Sequence, residues 1–332
     1  MVYKVTNINM AGKYLRIVFM GTTDFAVASL RALVENNYNV VAVVTAPDKP
    51  AGRGKLLSEP AVKGYALKNN LPVLQPDKLK DPAFINELTV LQPDLQVVVA
   101  FRMLPQVVWA MPLLGTFNLH GSLLPQYRGA APLNWAVING ETKTGVTTFM
   151  LDHEIDTGKI LFNKETVIDP NDTVGDIHDR LMNMGADLVL ETVDAIATGN
   201  IKPIPQAELL AGGEIKHAPK IFKHDCRINW SASATAIRNL IRGLSPYPAA
   251  WTVIVNNQTG EETQVKIFVA LINNPTSTMP AGSIDTDGKT FLNVACGTGS
   301  LTITDLQLAG KKRLPAKDFL QGFKQINNYT FV

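Results

Sequence analysis

Short, unbroken runs of apolar residues, each closed by a turn signal and followed by a helical pattern, constrain this chain more than any other feature. "LRIVFMG" (15–21) ends at a glycine, and "DFAVASLRALVENN" follows with helical spacing. The pattern returns in "NVVAVVTAP" (39–47), with "PAVKGYALKNN" and "LPVLQP" after it. It returns again in "DLQVVVAF" (94–101), "GTFNLHG" (115–121) and "GVTTFML" (145–151), with the helix "PLNWAVING" between the last two. Strands that are apolar throughout, rather than at alternate positions, are buried on both faces. The alternation predicts an α/β domain, a Rossmann-like parallel sheet covered by helices. "DTVGDIHDRLMNMGADLVLETVDAIATG" (172–199) reads as one long amphipathic helix. In it Val174, Ile177, Leu181, Met184, Leu188, Val193 and Ile196 recur at helical spacing, and Gly199 supplies the stop.

The pattern changes after Gly199. Residues 200–219 are rich in Pro and Gly and have no periodicity, which reads as a linker. Beyond them "AAWTVIV", "QVKIFVALI", "TFLNVAC" and "SLTITDLQL" are short strands separated by turn signals such as "NNQTG" and "DTDGK". These predict a small β-barrel of the OB-like kind. The expected organisation is a tail over 1–14, an α/β domain over 15–199, a linker over 200–219 and a barrel over 220–332. A length of 332 residues suits two domains, and 46% hydrophobic residues suffice for their cores. No apolar run reaches the ~20 residues of a membrane span, and no signal-peptide-like segment precedes the first strand. With only Cys226 and Cys296 present, the expectation is a cytoplasmic protein with two free thiols. Net charge is +2, but it is unevenly spread: residues 1–214 carry 18 Lys and Arg against 22 Asp and Glu, and residues 215–332 carry 13 against 7. A basic second half suits either a polyanionic partner or a solubilising surface.

The polar residues with chemical potential lie in "FNLHGSLLPQYRGAAP" (117–132). Side chains alternate along a strand, so Asn118 and His120 share a face. In open α/β sheets ligands bind beyond the carboxyl ends of the strands. Two donors aimed at one point there suit a carbonyl oxygen that gains negative charge. The same pair also suits a satisfied core histidine with an asparagine capping the turn. A third group lies after the next strand, in "MLDHEIDTGKI" (150–160), which offers Asp152 and Asp156. A carboxylate beside an imidazole fixes its tautomer, supports its cation or takes a proton through water. Taken alone, "DTG" is also an ordinary turn.

Together, "NLHGSLLPQYRGAAP" and the following "IDTG" resemble the formyltetrahydrofolate-dependent formyltransferases. "FMGTTDFA", "TAPDKPAGRGKLL" (45–57) and "QLAGKKRLPAKDFLQG" (307–322) are similar, more narrowly, to the branch that formylates methionyl-tRNA. The likeness runs from about Arg16 to the C-terminus. It implies transfer of a formyl group from 10-formyltetrahydrofolate to the α-amino group of methionyl initiator tRNA, with no metal. It also implies catalytic roles for Asn118, His120 and Asp156, and a folate-contacting turn at Ser122, Leu123, Leu124 and Pro125. One departure stands out: the family's "AYGxxLP"-like loop is here "AFRMLP" (100–105), one residue shorter and with Arg102 in place of the glycine.

Lys49, Arg53 and Lys55 crowd the "DKPAGRGK" loop, and Lys311, Lys312 and Arg313 lie together in the basic half. Such residues suit phosphate contact, and the resemblance implies that the loop meets the acceptor stem of the tRNA. "GTTDFA" lacks the later glycines of a dinucleotide fingerprint. His217, His224 and Cys226 fit no zinc spacing. His178 and the four tryptophans read as structural, and no obligate protein partner is implied. Two other readings stay in view: a formyltransferase for a small amine, such as a nucleotide sugar or glycinamide ribonucleotide, and an RNA-binding protein with a dead α/β half.

Overall fold

A computed structural model describes residues 11–51, 56–210, 213–277 and 279–332. The first sheet contains β1 (Ile17–Gly21), β2 (Val40–Val44), β3 (Val73–Leu74), β4 (Leu95–Val99), β5 (Thr116–His120), β6 (Lys143–Met150) and β7 (Ile160–Val167). Their order across the sheet is β7-β6-β5-β4-β1-β2-β3. β3, β2, β1, β4 and β5 run parallel, while β6 runs antiparallel to β5. Every residue of β1 and β4 is buried, as expected of strands covered on both faces. The order steps from β1 to β2 on one side and to β4 on the other, a reversal that leaves a crevice at the strand ends.

Local signals set the helices. α1 (Asp24–Glu35) buries Phe25, Ala26, Leu30 and Leu33 at helical spacing. α2 spans Ala61–Lys68. α3 (Pro82–Val90) begins with proline in its first turn and with the Asp81 carboxylate accepting from the Ala83 amide at 2.9 Å. α4 is Pro132–Ile138. The long helix α5 (Val174–Thr198) starts at a reciprocal cap: the Thr173 amide donates to Asp176 Oδ2, and the Asp176 amide donates to Thr173 Oγ1.

The C-terminal sheet contains β8 (Ala250–Asn256), β9 (Glu262–Ile272), β10 (Ile284–Asp285), β11 (Asn293–Ala295), β12 (Ser300–Leu308), β13 (Leu314–Pro315) and β14 (Tyr329–Phe331). All its pairings are antiparallel, in the order β10-β11-β12-β9-β8-β14, with β13 on β12. The two ends of that order meet: the Phe331 amide donates to the Gly282 carbonyl at 2.9 Å, and Ser283 bridges Thr330. The sheet therefore closes into a barrel, which removes its free edges. Gly282 sits at the seam with φ 84°, and a Cβ there would overlap the Phe331 carbonyl oxygen. α6 (Ala234–Leu244), capped by Ser233, covers the barrel with Ile237, Ile241 and Leu244, and α7 is Ala316–Gly322. Trp230, Val265, Ile267, Leu301 and Phe331 fill the interior.

By packing, the chain forms two units. The first runs to Gly129 and takes in Gly145–Thr166 and His178–His217; the second holds Ala130–Thr144, Val167–Ile177 and Ala218–Val332. Within the second, Asn134 of α4 donates to the Gly243 carbonyl at 2.8 Å, and Arg242 of α6 donates to the Asp172 carbonyl at 3.1 Å. Residues 200–210 are laid onto the first unit: Ile204 and Ile160 exchange two backbone hydrogen bonds. Cys226 and Cys296 are free and buried. Burial pushes the Cys296 thiol up to about 11 and also raises Cys226. Among the described residues no helix is long and apolar enough to cross a membrane.

Candidate active site

The site is built at the end of β5. Asn118 and His120 stand two residues apart on this strand, Asn118 half-buried and His120 buried. β4 lies on one side, with Val98 opposite Asn118. β6 lies on the other, with Thr147 opposite His120. After His120 the chain turns sharply. Ser122 donates from its hydroxyl to the Gln126 carbonyl at 2.7 Å and is fully buried. Thr147 clamps the same turn, donating to the Ser122 carbonyl at 2.7 Å and accepting from the Leu124 amide at 3.1 Å. Leu124 and Pro125 are buried and joined by a cis peptide bond, while Leu123 is half-buried. Ser122 and Leu124 thus give the turn its shape, with the serine hydroxyl already engaged.

The turn delivers the Tyr127 carbonyl to His120, whose Nε2 lies 2.9 Å from it. A carbonyl oxygen can only accept, so Nε2 carries the proton. In the neutral ring the lone pair is therefore on Nδ1. Nδ1 lies 3.9 Å from Asp156 Oδ2, with both side chains largely buried. That is too long for a hydrogen bond, but it leaves the carboxylate facing the ring nitrogen.

Asp156 is fixed from three directions. Its Oδ2 accepts the Gly129 amide at 2.9 Å. Its backbone takes a left-handed φ of 57°, which aspartate tolerates better than most residues. Its carbonyl accepts from Gln206 Nε2 at 2.9 Å, and the same amide nitrogen donates to the Gly158 carbonyl at 2.8 Å. Gln206 Oε1 in turn accepts from Arg128 Nε and a terminal guanidinium nitrogen, at 3.0 and 2.7 Å. Gly158 is required by contact, because a Cβ there would overlap the Met150 carbonyl. The "DTG" turn is thus locked to Arg128 through the buried Gln206. Asp152 is exposed, and its carboxylate accepts the following His153 amide at 2.7 Å.

Sequence reasoning named Asn118, His120 and Asp156 but not Arg128, Gln206 or the Tyr127 carbonyl. Arg128 stood in the quoted motif without a role. Gln206 carried no signal, since it lies in the Pro-rich stretch read as a linker. Arg102, in the atypical loop, is turned to its neighbours and donates to the Pro76 and Asp77 carbonyls.

Of the basic loop, Lys49 is exposed at the base of a short antiparallel pair, opposite Ser58; Arg53 and Lys55 lie outside the described residues. Asp48 anchors this base, accepting from Lys63 and Gln75. Those bonds hold its carboxyl below the usual range, Lys63 contributing most. Lys311 and Lys312 are exposed. Arg313 places both arms of its guanidinium on Asp305 at 2.8 Å and covers the Phe268 ring. Among the described residues no cluster of His, Cys, Asp and Glu is placed to hold a metal ion.

Residues 15–193 match the family model described as formyl transferase, and residues 220–324 match its C-terminal domain. The chain is 58% identical to the methionyl-tRNA formyltransferase of Parabacteroides distasonis, covering 95% of this chain and 98% of that protein. It is 55% identical to the enzyme of the same name from Bacteroides thetaiotaomicron, again over 95% and 98%. Among solved structures it resembles an N-formyltransferase from Helicobacter canadensis complexed with folinic acid and dTDP-3-aminofucose. That likeness has a TM-score of 0.62 at 18% identity, over 90% of this chain and 100% of that one, and it establishes fold alone. On the length of these matches and the identity to its relatives, the chain belongs to the formyl transferase family.

Proposed function

We propose that the chain transfers the formyl group of 10-formyltetrahydrofolate to the α-amino group of methionyl initiator tRNA, in the cytoplasm, for translation initiation. The observation that carries the chemistry is the held imidazole: Nε2–H spent on the Tyr127 carbonyl, Nδ1 left facing Asp156. The acceptor is inferred from relatives above half identity that bear the name methionyl-tRNA formyltransferase.

In the reaction the amine nitrogen bonds to the formyl carbon, and the carbonyl π pair moves onto oxygen. The Asn118 amide donates to that oxyanion. His120 takes the amine proton at Nδ1 and, as an imidazolium compensated by Asp156, becomes a second donor. The oxygen pair then re-forms the carbonyl, the bond to folate N10 breaks, and the proton passes to that nitrogen. A donor of this kind is worth about 2.7–4 kcal/mol in the transition state. The turn from Ser122 to Pro125 would shape the pterin-side wall. Lys49, Arg53 and Lys55, with Lys311 and Lys312, would meet tRNA phosphates. Arg313, already paired with Asp305, would contribute mainly to the shape of that surface.

The test is incubation with 10-formyltetrahydrofolate and methionylated initiator tRNA, followed by detection of formyl-methionine. Formylation of a small amine such as an amino sugar nucleotide, with the tRNA left untouched, would overturn the acceptor assignment.

A further inference from the structure

The basic loop after β2 springs from a short antiparallel stem, in which Lys49 pairs with Ser58, Pro50 with Leu57 and Ala51 with Leu56. Asp48 precedes this stem and Glu59 follows it. One side chain reaches both. Lys63, in the first turn of α2, places its Nζ 2.5 Å from Asp48 Oδ2 and 3.3 Å from Glu59 Oε1. A third element closes the group: Gln75, just past β3, donates from Nε2 to Asp48 Oδ1 and to the Ala46 carbonyl, both at 2.8 Å. Both oxygens of Asp48 are therefore engaged. Lys63 stands on a fixed base, since Val62 and Ala66 of the same helix are buried and the Arg31 guanidinium of α1 lies 5.9 Å over the Tyr65 ring. The Asp48 and Lys63 side chains are 22% and 16% exposed. The hydrogen bond to Asp48, the largest influence, raises the Lys63 ammonium above its ordinary value, while Asp48 is held low. The pair is therefore ionised at neutral pH.

An isolated surface ion pair adds little to stability, and Glu59 with Lys63 alone would be an ordinary pair four residues apart. Neither accounts for one ammonium shared between the two feet of a hairpin, with an amide from a third element on the same carboxylate. Charge does not account for it either. Carboxylates at the foot of a loop carrying Lys49, Arg53 and Lys55 oppose the attraction of phosphate, unless they serve to hold the loop. We propose that Lys63 is a positioning residue, clamping both feet of the basic hairpin so that the hairpin meets its polyanionic acceptor in one pose. The proposal rests on the reading of that acceptor as tRNA given above. A hairpin held beforehand has less ordering left to undergo on binding, and Lys63 itself need touch no phosphate.

The experiment uses the full chain, with formylation of methionyl initiator tRNA read beside amide hydrogen exchange over residues 49–51 and 56–58. Lys63→Met should speed exchange there. It should also raise KM for the tRNA about tenfold with kcat little changed and KM for 10-formyltetrahydrofolate unaltered. Lys63→Arg should match the parent in both readouts. Glu59→Gln, which frees only the exposed foot, should change both in the same direction by less. Asp48→Ala decides between clamp and charge. It removes a negative charge, so electrostatic attraction alone would tighten tRNA binding, whereas loss of the clamp weakens it. Melting temperature checks that each variant is folded. Parent-like exchange in Lys63→Met, or tighter tRNA binding by Asp48→Ala, overturns the clamp. So does a Lys63→Met variant whose only change is a salt slope flattened by about one unit, which would make Lys63 a direct phosphate contact. A parent protein that formylates a small amine and leaves the tRNA untouched sinks the acceptor reading instead; exchange in the variants then still decides whether the clamp exists.

Discussion

Asn118 and His120 are distinguished by what each can donate. The Asn118 amide is a donor in every protonation state. His120 has spent its one neutral-state donor on the Tyr127 carbonyl, so it donates from Nδ1 only after gaining a proton. On the proposed mechanism the two residues therefore act at different moments. Asn118→Ala should lower kcat by about a hundredfold to a thousandfold with tRNA affinity retained, since the lost hydrogen bond belongs to the transition state. Single-turnover rates beside tRNA binding measure this, and near-parent turnover would remove Asn118 from the mechanism. Asp156→Asn keeps the side-chain shape but withdraws the negative charge 3.9 Å from His120 Nδ1, which the proposed mechanism uses when the ring takes the amine proton. Activity should fall severely across the whole pH range tested, whereas the exposed Asp152→Asn should stay close to the parent. Equal, mild effects from the two would reduce Asp156 to a turn residue.

Among the elements, the turn holding Asp156 depends on a side chain far away in sequence. Gln206 is buried and uses both ends of its amide, accepting from Arg128 and donating to the Asp156 and Gly158 carbonyls. Gln206→Leu leaves a guanidinium and two carbonyls without partners, at a cost of about 2–4 kcal/mol. Gln206→Glu still accepts from Arg128 but has no proton to give Asp156. The two variants should therefore differ in melting temperature yet share a fall in kcat; a full-activity Gln206→Glu would show that this turn holds itself. The contrast marks what was legible in the sequence. β1 and β4 were readable because each is an almost unbroken apolar run. Asn118 and His120 were readable because they alternate with Phe117 and Leu119 and so share one face of β5. Gln206 was not: it lies 78 positions from Arg128, and the Ile160–Ile204 backbone pair helps to bring it back. Nor could the antiparallel course of β6 be read from "GVTTFML", since an interior strand buried on both faces has the same apolar composition in either direction.

Over the whole molecule, sequence order and packing divide the chain differently. A cut at Gly199 looks natural in the sequence, yet α4 and residues 167–177 pack in the unit that contains the barrel. Asn134 reaches Gly243, and Arg238 reaches the Pro170 carbonyl at 2.6 Å. The basic surface is therefore best probed in the intact chain, and charge gives the probe. Residues 215–332 carry 13 Lys and Arg against 7 Asp and Glu, while the first 214 residues are net acidic. If these cations and the loop of Lys49, Arg53 and Lys55 neutralise phosphates, each contact releases counterions. The logarithm of tRNA affinity should then fall linearly with the logarithm of salt concentration. Arg53→Ala, which removes one such cation, should weaken tRNA use and flatten that slope by about one unit. Formyl-donor binding should be almost unaffected by salt or by this variant, because the proposed mechanism places the donor's reacting centre at Asn118, His120 and Asp156, away from these cations. Titrating tRNA and folate across the same salt series separates the cases. A flat tRNA line with folate still bound would leave the chemistry in place and point to a small amine as the acceptor.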